Sequence, residues 1–138
     1  MDKLKLSKIQ LEMTSWKSIV RLPLTMDHVK AIKIRWMYYT TASTGNKVLH
    51  LACSNFNPSA YILNDDGSTD TYFFSMPLDP SNSVTCLYSD FNQTSLDLIF
   101  DKPIQSINQF TLEASINGIS ATDISPTNAL VFEMGFYS

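Results

Sequence analysis

Apolar residues recur at every second position through almost the whole of this chain, broken at short intervals by clusters of turn-forming residues. Ile9, Leu11 and Met13 alternate with polar neighbours, as do Val20, Leu22 and Leu24. The same rhythm returns in Tyr72, Phe74, Met76 and Leu78, in Leu96, Leu98 and Phe100, in Phe110, Leu112, Ala114 and Ile116, and in Leu130, Phe132, Met134 and Phe136. A period of two places one set of side chains on a single face of a strand. Strands of that kind, punctuated by Asn64-Asp65-Asp66-Gly67, Asp79-Pro80-Ser81-Asn82 and Asn117-Gly118, predict an all-β, single-domain antiparallel β-sandwich. The best architecture is of jelly-roll type, with about eight strands.

Two places test the pattern. Val29, Ile32, Trp36 and Tyr39 would share a helical face, whereas Ile32, Ile34, Trp36 and Tyr38 alternate against Lys33, Arg35 and Met37. Aromatic and β-branched content favours the strand. That reading puts Trp36 and Tyr38 with the core and Lys33 and Arg35 on the solvent face. Near Ser7-Lys8 the alternation slips by one residue between Leu6 and Ile9, which predicts a bulge or the junction of an arm with the body. Pro23 marks a sheet edge or strand end, because proline cannot donate to a ladder.

The 138 residues suit one domain, and only 17% of them are charged, so Ser, Thr and Asn must supply much of the surface. The charges are unevenly placed. Nine of the ten Lys and Arg residues lie within positions 1–47 against three acids, while Lys102 stands alone against ten acids beyond. Such asymmetry bears on association; alternatively, basic and acidic strands pair in space and the polarity vanishes. No apolar run is long enough for a membrane span, and the N-terminus lacks a signal-peptide pattern. A soluble protein made in a reducing compartment is expected, with Cys53 and Cys86 as two buried thiols rather than a disulfide.

Motifs for chemistry are scarce. His28 and His50 lack the paired spacing of a zinc site, and His50 and Cys53 would project from opposite faces of a strand. Asn64, Asp66, Ser68 and Asp70 alternate as calcium ligands do, but the loop lacks a bidentate Glu and its Gly is misplaced. No glycine-rich phosphate loop or nucleophile elbow occurs. The expectation is a protein that is not an enzyme, with no catalytic residue, no metal and no cofactor. Lys30, Lys33 and Arg35 lie beside Trp36, Tyr38 and Tyr39, yet strand alternation separates most of the aromatics from the cations. With a net charge of −3, this argues against direct nucleic-acid binding.

Four stretches carry a resemblance. Val20-Arg-Leu-Pro-Leu-Thr-Met-Asp-His-Val29 runs into Lys30-Ala-Ile-Lys-Ile-Arg-Trp-Met-Tyr38. Asp101-Lys-Pro-Ile-Gln-Ser-Ile107, Ile116-Asn-Gly118 and Leu130-Val-Phe-Glu-Met-Gly-Phe-Tyr137 follow. In this order of elements the chain resembles the single jelly-roll minor capsid and penton proteins of large double-stranded DNA viruses and virophages. The resemblance implies a structural subunit in the virion capsid, made in the host cytoplasm, contacting copies of itself and neighbouring capsid proteins. It implies no small-molecule substrate. Residues 1–138 would be one domain with 1–7 as a candidate N-terminal arm, its Lys3-Leu4-Lys5-Leu6 alternation suited to strand addition. Lys3, Leu4, Lys5, Leu6, Lys33, Arg35 and Phe73 are the candidate interface residues; Phe73 is chosen because its neighbours Tyr72 and Phe74 face the core. The alternative is a carbohydrate- or ligand-binding β-sandwich module using Tyr61, Tyr72, Phe73, Tyr88 and Phe91.

Overall fold

The computed structural model describes residues 5–39, 47–56, 60–78, 86–92 and 95–138. The elements are β1 (Leu6–Met13), β2 (Lys17–Tyr39), β3 (Lys47–Cys53), β4 (Ala60–Leu63), β5 (Thr69–Tyr72), β6 (Phe74–Leu78), β7 (Cys86–Ser89), β8 (Leu98–Ile116), β9 (Ile119–Ser120) and β10 (Leu130–Tyr137). All pairings are antiparallel. Eight strands form one sheet in the order β1-β10-β2-β8-β3-β6, with β7 added on β2 and β9 on β8, while β4 and β5 form a separate hairpin. The all-β, antiparallel expectation therefore holds. The predicted turn at 79–82 lies outside the described residues.

Two strands are far longer than the pattern suggested, and they make the sheet curl. β2 has 23 residues and β8 has 19. Their ladder breaks twice, in opposite senses. Between the Arg21–Gln109 and Met26–Ile107 pairs, β2 carries the surplus; between Val29–Ile104 and Ala31–Ile99, β8 carries it. The two surpluses cancel, so both ends of the ladder stay in register. Each excursion contains a proline, Pro23 in one and Pro103 in the other, where the missing N–H would leave a gap in a ladder anyway. His28, at φ +56°, completes the bend in β2. Beyond these corners the halves of the sheet face each other. Phe110 of β8 meets Phe136 of β10 at 6.0 Å between ring centroids, and Phe74 of β6 meets Tyr88 of β7 at 5.0 Å.

The core is the inner face of this curled sheet. Phe132, Met134 and Phe136 of β10, Ile32 and Ile34 of β2, Leu49 and Leu51 of β3 and Leu112 of β8 are all buried there. The two-residue Asn117-Gly118 loop joins Ile116 to its partner Ile119 with both φ positive, +51° and +80°, the type I′ geometry that the sequence predicted. The Asn64–Gly67 turn also forms, closed by a hydrogen bond from Gly67 N to Asn64 O.

Three expectations change. The β1–β10 ladder runs from Leu6 to Met13 without a shift, so the slip at Ser7-Lys8 is not a bulge; Leu6 simply turns to the other face. The predicted alternation through Trp36 does not survive, because Glu133 pairs with Trp36 and Met134 with Ile34, leaving Arg35 as an extra residue in β2. A bulge moves everything after it to the opposite face. Met37 and Tyr39 are consequently buried and Tyr38 is exposed. Finally, part of the charge asymmetry of the sequence is met by ion pairs within the fold. Lys17 pairs with Glu113 of β8, Arg35 with Glu133 of β10, and Lys33 with Asp90 beyond the end of β7.

Candidate interaction surface

Most of the interface residues expected from sequence do not sit on free surface. Lys3 and Leu4 lie outside the described residues. Lys5 is exposed but tied by its backbone, donating to Ser138 O at 2.8 Å and accepting from Ser138 N at 2.9 Å. Leu6 pairs with Tyr137. Residues 5–7 thus belong to the sheet and not to a detached arm. Phe73 is 6% exposed. It occupies the break between β5 and β6, where its N–H donates to Leu51 O at 3.0 Å; the break resets the alternation and turns the ring inward.

Lys33 and Arg35 point outward from β2, as alternation required, but residues 90–92 and 95–97 (the 90–97 loop) cover them. Lys33 is 1% exposed. Its ammonium group donates to Asn92 O at 2.6 Å and to Ser95 O, and it lies 3.1 Å from Asp90 Oδ2. Asp97, at the end of the same loop, accepts from Ile34 N at 2.6 Å. Burial pushes the Asp97 carboxyl up to about 6, against the pull of the Ile34 N–H and of Lys33. Hydrogen bonds from Asn92 N and Lys33 hold Asp90 below the usual carboxylate range. Arg35 lies 2.5 Å from Glu133 and 5.0 Å from the centre of the Phe91 ring. This cluster fastens a loop to the sheet. A buried, multiply bonded lysine of this kind is a structural tie.

Gly135 gives the arrangement room. A Cβ there would lie 2.9 Å from Leu6 Cδ1 and 3.1 Å from Arg35 Cδ, so a larger residue would make both side chains shift where they cross the strand.

The remaining sequence candidates also find local roles. His50 stands on the outer face of β3 with its ring 4.6 Å from Tyr72, and burial lowers its pKa. Cys53 is a free thiol packed at the core edge on the opposite face, its pKa raised by burial. The Cys86 side chain lies outside the described residues. In the Asn64–Asp70 turn the possible cation ligands bond one another: Asn64 donates to Ser68 Oγ and Asp70 Oδ2, and Ser68 donates to Asp66 Oδ1. Among the described residues no group of three His, Cys, Asp or Glu is placed to hold a metal. No helix among them is long and apolar enough to cross a membrane.

What the surface does offer is apolar. On the β4–β5 hairpin, Tyr61 and Leu63 pair with Thr71 and Thr69 and share one face; Leu63 is 84% exposed. Ile119 follows the Asn117-Gly118 turn and is 73% exposed. A Cβ on Gly118 would lie 3.5 Å from Asp70 of the hairpin, so hairpin and turn occupy the same end of the molecule. Elsewhere, the Arg35 bulge turns Trp36 and Tyr38 into the wall of an open groove of about 550 Å³, completed by Met37, Tyr88, Ser89 and Val131. Sequence reasoning named Tyr61 of the hairpin and Tyr88 of the groove but missed Leu63, Trp36 and Tyr38 as surface residues. Leu63 lies in a strand too short to show a face, and the groove depends on the bulge. Comparison with known proteins finds no family model and no curated relative that matches this chain.

Proposed function

We propose that this protein is a structural subunit, a penton or minor capsid protein with jelly-roll connectivity, that packs in the virion against copies of itself and neighbouring capsid proteins. The observation that carries the reading is the β4–β5 hairpin, which stands outside the main sheet and presents Tyr61 and Leu63 to solvent. Large apolar side chains on a projecting element are what a protein contact covers. Ile119 adds an exposed apolar side chain at the same end of the molecule. The resemblance noted in the sequence supplies the kind of assembly, and an antiparallel β body is compatible with it; fold alone does not decide function. Under this reading the chain performs no catalysis. Light scattering on the purified chain tests it: discrete oligomers are expected, and a smaller species in the Leu63→Ser variant ties the larger one to the hairpin.

The Trp36–Tyr38 groove favours a second reading, a carbohydrate- or ligand-binding module, since exposed aromatic faces stack on sugar rings. The groove uses Tyr88 but not the other aromatics that sequence suggested, because Phe73 is buried, Tyr72 lies against His50, and Tyr61 and Phe91 stand on other elements. Quenching of tryptophan fluorescence by glycans, lost in Trp36→Ala, would favour this module over the subunit.

A further inference from the structure

β1 ends the strand order of the main sheet, and its eight-residue ladder with β10 contains no bulge. The opposite end of that order, β6, contains Pro77, a residue that blunts an edge, whereas β1 contains none. A regular edge free of proline is a template for another strand.

The direction of its free backbone groups follows from the ladder. Lys5 and Ser138 exchange both hydrogen bonds, so Lys5 and every second residue after it bond to β10. Leu6, Lys8, Gln10 and Glu12 therefore aim their N–H and C=O groups away from the sheet. The side chains of Lys8, Gln10 and Glu12 are exposed on one face, while Ile9 and Leu11 on the other pack at the margin of the core.

From this pattern we propose that β1 pairs with β1 of a second copy, antiparallel and centred on Gln10, to form a two-fold dimer. In that register Gln10 meets itself, Lys8 of each copy faces Glu12 of the other, and Ile9 faces Leu11. Three independent constraints agree there. The residues paired by hydrogen bonds are the ones whose backbone groups are free. Both charge pairs join opposite signs. The apolar pair lies on the core side, so the two cores become continuous. Sliding the strands by one pair in either direction removes the Lys8–Glu12 match. A two-fold contact of this kind uses one patch twice. The inference rests on the assembly reading above and names one of its contacts.

Sedimentation of the full chain tests it. Wild type should form a dimer. Glu12→Lys and Lys8→Glu should each raise the dissociation constant about tenfold, because two attractive pairs become repulsive. The double swap K8E/E12K should return it to near the wild-type value. Gln10→Pro should abolish the dimer while keeping the melting temperature, since the N–H it removes does not bond to β10. Association indifferent to both charge reversals overturns the proposal. If that indifferent association is lost in Leu63→Ser, packing through the hairpin stands without the β1 contact. A dimer that responds as described but never grows larger supports edge pairing and counts against the capsid reading. A wild type that stays monomeric removes both.

Discussion

Lys33 Nζ lies 3.1 Å from Asp90 Oδ2 beneath the 90–97 loop, so a strand lysine that alternation assigns to solvent is the anchor of a covered layer. The carbonyl oxygens of Asn92 and Ser95 complete its shell. Lys33→Ala removes the ion pair from Asp90 and a charged donor from the carbonyls of Asn92 and Ser95. A loss of about 2 to 4 kcal/mol in denaturant unfolding is expected, discounted because Asp90 keeps some contact with water. A loss below about 0.5 kcal/mol would mean that the tie contributes little.

Asp97 makes a pH prediction. Its folded pKa, about 6, lies above the unfolded value of about 3.9, so the folded state holds the proton more tightly. The contribution of Asp97 is therefore full below the unfolded value and declines as pH rises towards 6. His50, with its pKa lowered, acts in the opposite sense as its protonation begins. Asp90, also lowered, matters only in stronger acid. Asp97→Asn keeps an oxygen for Ile34 N–H and isolates the effect. Its melting temperature relative to wild type should be higher at about pH 7.5 than at about pH 5; a constant difference would show that Asp97 does not titrate in this range.

The Asn117-Gly118 turn predicts a backbone effect. Gly118 has φ +80° and, in the space a Cβ would fill, only Asp70 at 3.5 Å. Strain rather than crowding should dominate, and Gly118→Ala should cost about 1 kcal/mol. Asn117→Ala should cost more than its own positive φ implies, because its side chain also accepts from Val48 N at 2.9 Å. Chemical denaturation of the two variants separates these contributions.

Phe73 and Leu63 should behave as opposites. Phe73→Ala empties a buried site and should lower stability by about 3 to 5 kcal/mol. Leu63→Ser removes a side chain from solvent and should change stability by less than about 0.5 kcal/mol, while weakening association. Thermal melts paired with light scattering distinguish a core residue from a contact residue.

The strands were legible because alternation is local, and the Asn117-Gly118 hairpin because its residues tolerate positive φ. The bulge at Arg35 was hidden: Ile32 and Ile34 before it, and Trp36 and Tyr38 after it, alternate as if nothing intervened. Only pairing with β10 reveals the extra residue. The same is true of Phe73, whose inward turn depends on a break between two strands that read as one. The fate of Lys33 depended on a distant loop. The charge asymmetry looked like a property of the surface, but β2 lies between β8 and β10, which bring Glu113 and Glu133 to it, and the 90–97 loop brings Asp90. Long-range register, rather than composition, decided the interface candidates.

The exposed hairpin is the proposed packing surface. Light scattering of the purified wild-type chain beside Leu63→Ser tests it most directly. Wild type should give a discrete oligomer and the variant a smaller species, with equal melting temperatures. A wild type that remains monomeric, or a variant with unchanged mass, would contradict it.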